Sequence, residues 1–368
     1  MRKFIEDILF FRRPLLHAIL FPLLACFALP FSVASRIRLF LFCRGILRSR
    51  ELPCIVISVG NITVGGSGKT PFTIYLAEKL KKHFAHVVVV SRGYRGSPRN
   101  KAMVVSDGKE VLLNVETAGD EPFLIAQRLF GIPVLCGKDR YASGHYAVEN
   151  LNAQVVILDD GFQHLQLKHD LDIVLIDGEA GFGNRWTLPA GILREPLGGI
   201  KRGDIFVIKK TRANADYSFL EREILKHTKA PHIFYADVRG GQIIDERGKR
   251  KDIEEFSGKR FCAVSGIVNH QGFLDSLLHA GLVVSSHKGF SDHHIYQMTD
   301  ISKVNEIAKS ADAIITTEKD LYKLIQYKDL LEKDLYALPI ELTFDREEEL
   351  LARIFTHAAL LQKLDCKP

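Results

Sequence analysis

The sequence predicts an α/β protein built on a doubly wound, mostly parallel sheet, with a second, smaller α/β domain behind it. Three observations carry this. Short β-branched runs alternate with longer amphipathic stretches, the runs are apolar throughout, and a glycine-rich turn joins the first run to the first amphipathic stretch. A strand that is apolar on both faces needs a sheet covered on both sides, as parallel sheets are. The runs at Cys54–Val59, Val87–Val90, Val155–Leu158, Ile173–Ile176 and Ile205–Ile208 read as such strands. Pro71–Phe84 and Pro122–Phe130 read as helices, each opening with a proline where its missing N–H costs no hydrogen bond.

Beyond residue 210 the composition shifts. Lys229–Asp252 is rich in Gly, Arg, Lys and Asp around two β-like pieces, Ile233–Tyr235 and Gln242–Ile244, and predicts a two-stranded excursion or a linker. A second α/β unit follows, with strands at Phe261–Val264, Val283–Ser286 and Ala313–Thr316. The expected division is 1–50, 51–215, 216–258 and 259–368, reasonable for a chain of 368 residues.

Charge separates the first 50 residues from the rest. The chain carries 50 Lys and Arg against 44 Asp and Glu, yet residues 1–50 alone hold nine bases and only Glu6 and Asp7 as acids. The remaining chain is near neutral, which excludes a protein that coats nucleic acid over its whole surface. Pro14–Ala34 has no formal charge but contains Pro14, Pro22 and Pro30, and it is flanked by Arg12 and Arg13 on one side and Arg36 and Arg38 on the other. Basic residues at both ends suit a helical segment lying in the interface of an anionic membrane. A single span and a hairpin packed on the protein's own core are the alternatives. The six cysteines form no C-x-x-C pair and predict buried apolar positions in a reducing compartment.

Ser58–Pro71 carries Thr63-Val64-Gly65-Gly66-Ser67-Gly68-Lys69-Thr70 between a strand and a helix start, the setting of a P-loop. Glycines let backbone N–H groups converge on phosphate oxygens, and the helix N-terminus adds positive potential. Lys69 is expected on the β- and γ-phosphates and Thr70 on Mg²⁺. Thr63 departs from the strict pattern, which has glycine there. Val155–Asp160 supplies carboxylates at a strand end: Asp159 for the metal's water shell, Asp160 in a supporting catalytic role. Asp120 and Glu121 precede the second helix. Either they match the helix dipole, or Asp120 accepts a proton from an attacking hydroxyl while Glu121 helps hold Mg²⁺. Phe290–Tyr296 sets His293 and His294 beside Asp292, and Ser91–Gly96, Gly137–Arg140 and Leu188–Pro196 read as anion or sugar contacts at strand ends.

Taken in order, Gly-Asn-Ile-Thr-Val-Gly-Gly-Ser-Gly-Lys-Thr-Pro, Ser-Arg-Gly-Tyr, Gly-Asp-Glu-Pro, Asp-Asp-Gly-Phe-Gln-His, Leu-Pro-Ala-Gly-x-Leu-Arg-Glu-Pro, Phe-x-Asp-His-His and Thr317-Glu318-Lys319-Asp320 resemble the tetraacyldisaccharide 4′-kinases of lipid A biosynthesis. The resemblance spans about residues 10 to 350. It implies transfer of the ATP γ-phosphate, with Mg²⁺, to the 4′-hydroxyl of a tetraacylated glucosamine disaccharide 1-phosphate at the cytoplasmic face of a Gram-negative inner membrane. It also implies Asp120 as base with His293 as its partner, and Arg92, Tyr94, Arg140, Gln163, His164, Arg194 and Glu195 on the acceptor side or in support. The lipid gives residues 1–50 a purpose, since each exposed methylene costs roughly 0.8 kcal/mol. A membrane-peripheral ATPase or GTPase switch is the rival reading. A guanine site calls for Asn/Thr-Lys-x-Asp, and in Thr317-Glu318-Lys319-Asp320 the lysine comes one place late.

Overall fold

The computed structural model describes residues 14–93, 102–211 and 215–357; Tyr94, Cys366 and residues 1–13 lie outside them. The chain forms two compact units, Met1–Asp237 with Thr343–Pro368, and Val238–Leu342.

The first unit contains β1 (Ile55–Gly60), β2 (Val87–Ser91), β3 (Met103–Ser106), β4 (Val134–Cys136), β5 (Val155–Asp159), β6 (Leu171–Asp177), β7 (Ile205–Lys209) and β8 (His232–Gly240). The second contains β9 (Ile243–Asp245), β10 (Arg250–Lys251), β11 (Arg260–Ser265), β12 (Val283–Gly289), β13 (Ala313–Thr317) and β14 (Leu335–Leu338), after which β15 (Ile340–Phe344) carries the chain back. The large sheet runs β15-β8-β7-β6-β1-β5-β2-β4-β3. β1 pairs in parallel with β5 on one side and β6 on the other. The chain thus builds one half of the sheet to each side of β1, and ligands of open α/β sheets bind where the strand order reverses. Every residue of β1, β2 and β5 is buried, which explains why these runs carry no polar alternation.

The predicted excursion is divided differently. Ile233–Tyr235 opens a nine-residue strand, β8, which continues the large sheet in parallel with β7. Ile243–Asp245 belongs to the other sheet, β10-β9-β14-β13-β11-β12, antiparallel to both its neighbours. The compact units therefore part near 237 and 342 rather than at 215 and 258, and the helix Glu347–Thr356 returns to the first unit, where Glu347 pairs with Lys79 at 2.6 Å.

Pro14–Cys43 is one continuous helix through Pro22 and Pro30, not a hairpin. Thirty residues extend about 45 Å at 1.5 Å each. Leu15, Ile19 and Phe27 point outward, 82%, 74% and 64% exposed, and among the described side chains of the helix Ala28 alone is fully covered. Ala18–Cys43 reaches a mean hydropathy of 2.1, long and apolar enough by length and composition to cross a membrane. Among the described residues the helix touches its own unit through Phe21 edge-on to Trp186 at 5.2 Å, the Ala28 carbonyl accepting from Thr187 at 3.2 Å, and Arg38 donating to the Gln163 carbonyl at 3.2 Å. Cys54, Cys136 and Cys262 are buried as expected, whereas Cys26 and Cys43 lie exposed on this helix.

Candidate active site

The glycine-rich loop leaves β1 at Gly60, where an added Cβ would stand 2.6 Å from the Phe162 Cβ, so the close crossing of the two chains requires glycine. Asn61, fully buried, donates from Nδ2 to Ser67 Oγ at 2.9 Å and ties the two ends of the loop together. The departure at Thr63 has a structural reason. Thr63 bridges antiparallel to Leu193, Val64 N–H donates to the Ile192 carbonyl and Arg194 N–H to the Ile62 carbonyl, each at 2.8 Å. This stretch is an extended ladder against Ile192–Arg194, in which a buried threonine fits and positive φ is not needed. Positive φ comes later, at Gly65 (φ 115°) and at Gly68 (φ 87°), the cap from which the helix Lys69–Lys81 starts. Lys209, at the end of β7, donates to the Gly66 carbonyl at 2.6 Å and pairs with Asp177 at 2.6 Å, bracing the loop from the far side.

Two carboxylates end β5 and are treated unlike each other. Asp160 (φ 55°) receives both its hydrogen bonds from Arg194 Nη1 at 2.8 Å and lies 3.7 Å from Lys69 Nζ. Burial alone would raise it, but the two cations outweigh burial and hold it well below the usual carboxylate range. Asp159 is 1% exposed and accepts from the Thr73 and Ser91 hydroxyls, each at 3.1 Å. Burial first, then the charges of Glu121 and Asp160, push it up to about 7 against the pull of Lys69. Asp120 and Glu121 form the first turn of the helix Asp120–Arg128, where the helix dipole favours negative charge. Asp159, Glu121 and Asp160 thus concentrate negative charge beside a single lysine of the loop.

The residues expected on the acceptor side build much of the loop's support. Glu195, 4% exposed, takes two hydrogen bonds from Arg202 at 3.0 and 2.9 Å and one from Gln163 Nε2 at 3.0 Å. Gln163 Nε2 also reaches the Asn61 carbonyl at 2.7 Å. Arg140 is 3% exposed and donates to the Gly137 carbonyl at 2.8 Å; burial lowers it to about 10, while Asp160 and Asp159 pull the other way. Burial, reinforced by Arg140, holds His164 down to about 4. Arg92 is exposed at the end of β2.

This geometry has counterparts among known proteins. A profile of the family "Tetraacyldisaccharide-1-P 4'-kinase" (LpxK) matches residues 20–359. The chain belongs to this family. It is 37% identical to the tetraacyldisaccharide 4'-kinase of Desulfatibacillum aliphaticivorans over 88% of both chains. It is 38% identical to that of Geobacter metallireducens, over 90% of this chain and 99% of the relative. A crystal structure of LpxK from Aquifex aeolicus in complex with ATP superposes with a TM-score of 0.75 at 32% identity, covering 93% of this chain and 99% of that one.

In this tetraacyldisaccharide-1-P 4'-kinase family member, His293 lies in the second unit, past the carboxyl end of β12, with φ 54°. Its Nε2 stands 3.5 Å from Asp292 Oδ2 and 3.4 Å from Lys319 Nζ. His294 is engaged elsewhere, its Nε2 2.9 Å from Asp300 and its ring stacked on Phe290 at 4.7 Å. Several residues of the site escaped the sequence reading. Ser91 and Thr73 hold Asp159, Arg202 holds Glu195, and Lys209 with Asp177 braces the kinase's phosphate loop. Only Ser91 carried a signal, as the first residue of the quoted Ser-Arg-Gly-Tyr.

Proposed function

We propose that this protein transfers the γ-phosphate of ATP to the 4′-hydroxyl of a tetraacylated glucosamine disaccharide 1-phosphate, forming lipid IVA. The observation that carries the reading is the braced phosphate loop of a family member, opening onto Lys69 and an excess of carboxylates at the carboxyl ends of β1 and β5. Backbone N–H groups of Gly65–Gly68 and the helix start receive the phosphates, and Lys69 spans the β- and γ-groups. Asp160, held anionic by Arg194, orients Lys69. Asp120 takes the proton of the 4′-hydroxyl as its oxygen bonds to the γ-phosphorus; the bond to the β–γ bridging oxygen breaks and ADP leaves. His293 is assigned as the partner of Asp120 on the strength of the family motif alone.

The donor set fits Mg²⁺. Glu121, Asp159 and the Thr70 hydroxyl are all oxygen donors, and the raised Asp159 marks a place short of positive charge. Among the described residues no cluster of three or more His, Cys, Asp or Glu is placed to hold a metal, so these groups would hold Mg²⁺ only together with phosphate and water. Both Asp159 oxygens already accept hydroxyls, which suits an outer position. Held by these residues, Mg²⁺ would supply charge neutralisation for phosphoryl transfer.

The exposed apolar helix supports attachment to the cytoplasmic face of an anionic inner membrane, where a four-chain lipid resides. The deciding assay incubates detergent-solubilised protein with ATP and Mg²⁺, with and without the disaccharide lipid, and follows phosphate into the lipid fraction. Labelled lipid is expected; ATP hydrolysis indifferent to lipid, with none labelled, overturns the reading. Removal of residues 1–50 is expected to move the protein from membrane pellet to supernatant, and continued pelleting overturns the anchor.

A further inference from the structure

The helix Pro14–Cys43 does more than expose an apolar surface. Phe21, Ala25, Ala28, Ser32, Ser35 and Leu39 are covered or half-covered and recur at intervals of four and three, one face of a helix. The middle of that face is built of small residues, so the helix backbone comes close enough for the Ala28 carbonyl to accept from Thr187 Oγ1 at 3.2 Å. Thr187 is itself buried, 3% exposed, and its neighbour Trp186 meets Phe21 edge-on. Nearer the other end, Arg38 donates to the Gln163 carbonyl.

Both contacts lead to the phosphate loop. Thr187 bridges in parallel to Leu193, while Leu188 N–H donates to the Leu193 carbonyl at 2.9 Å and Leu193 N–H to the Trp186 carbonyl at 3.1 Å. Leu193 in turn bridges to Thr63 at the start of the loop, and Arg194, next in the chain, holds Asp160. On the second route, Gln163 receives Arg38 on its carbonyl and sends its own Nε2 to the Asn61 carbonyl at 2.7 Å; Asn61 ties the two ends of the loop through Ser67. Closely packed, hydrogen-bonded segments shift together rather than bend, so unseating the helix unsettles the loop. We propose that the helix holds the phosphate loop in its nucleotide-receiving arrangement, with Thr187 as the positioning residue, so that seating of the helix and ATP affinity are one coupled equilibrium. With the helix unseated the loop keeps that arrangement only part of the time, and apparent affinity falls by that fraction. By reciprocity, bound ATP tightens the helix onto Trp186 and Thr187.

This rests on the reading that the loop takes ATP, and the test separates the two. Full-length protein in detergent is compared as wild type, Ala28→Leu, Thr187→Val and Thr187→Ser, with ATP and Mg²⁺ binding measured in the absence of acceptor lipid. Ala28→Leu adds bulk at the contact but keeps the helix apolar, so this variant is expected still to pellet with vesicles of phosphatidylethanolamine and phosphatidylglycerol. Trp186 is the one tryptophan of the sequence, and its fluorescence reports the seat of the helix. Ala28→Leu and Thr187→Val are expected to show stronger quenching of Trp186 by acrylamide and a Kd for ATP raised roughly threefold to tenfold, the quenching falling back as ATP saturates. Thr187→Ser is expected to recover most of the affinity. In the complete assay kcat at saturating ATP is expected to fall less than about twofold; a mere loss of folded protein would lower kcat and leave Kd unmoved. A vesicle-bound Ala28→Leu with Trp186 more accessible and ATP affinity unchanged overturns the proposal and leaves the helix an anchor only. Unchanged quenching and affinity in both variants overturn it as well. A wild-type protein that binds no ATP overturns the kinase reading itself.

Discussion

Asp159 in the first unit and Asp320 in the second are both buried aspartates beside the end of a parallel strand, and their surroundings differ in kind. Asp320 receives a backbone N–H from Gly266 and the Thr317 hydroxyl, with Lys323 Nζ 3.6 Å away in the same unit. Asp159 receives two neutral hydroxyls and faces Glu121 and Asp160, while the nearest lysine of the loop stands against Asp160. One carboxylate is given a cation by its own unit and ties a helix to a loop. The other is left pushed up to about 7, short of positive charge, as suits the nucleotide site proposed above.

The sharpest way to break this contrast is in turnover. Asp120→Ala removes the proposed base and is expected to lower kcat by about 10² to 10⁴ with the KM for ATP little changed; normal turnover in steady-state assays would overturn that assignment. A smaller effect separates the two buried aspartates in stability. Asp320→Ala strands the Gly266 N–H and Lys323 and is expected to cost roughly 2–3 kcal/mol in denaturant unfolding. Asp159→Asn keeps an acceptor for one hydroxyl and relieves repulsion, so nucleotide-free protein is expected to unfold at an unchanged or higher midpoint while kcat falls. Equal destabilisation by both changes would erase the distinction. The smallest effect is a pH dependence. His164 is held down to about 4 by burial and then by Arg140 and His169, against 6.5 in an unfolded chain, so the folded state keeps it neutral. Its contribution is complete above about 6.5 and is lost as pH falls toward 4. His164→Gln is therefore expected to flatten the melting temperature's decline over that interval, and an identical decline in wild type and variant counts against it.

Much of the fold was legible because its signal is local. Continuous apolar runs mark strands buried on both faces, and Gly60-Asn61 through Lys69-Thr70 marks a phosphate loop by spacing alone. The failures are those of non-local pairing. Nothing within Ile233–Tyr235 says that its partner is β7 rather than a hairpin mate, because parallel register is set by residues far away in sequence. Glu195 and Arg140 read as acceptor-side or supporting groups; their partners, Arg202 for Glu195 and the Gly137 carbonyl for Arg140, come from packing that spacing does not give. Thr63 read as a flaw in the motif until its bridge to Leu193 was seen.

The long helix Pro14–Cys43, with Leu15, Leu23, Phe27 and Phe31 among its exposed side chains and one end resting on the Gln163 carbonyl, also bears on how this enzyme is to be measured. On the reading given above, enzyme and acceptor share a film two molecules thick, and their encounter is a search in a plane. The governing concentration is then the mole fraction of acceptor among neighbouring lipids or detergent, not its molarity in the tube. Adding inert detergent at constant total substrate dilutes that plane and slows the reaction, while ATP, arriving from water, keeps an ordinary bulk dependence. Two substrates of one active site thus obey concentration laws of different dimension.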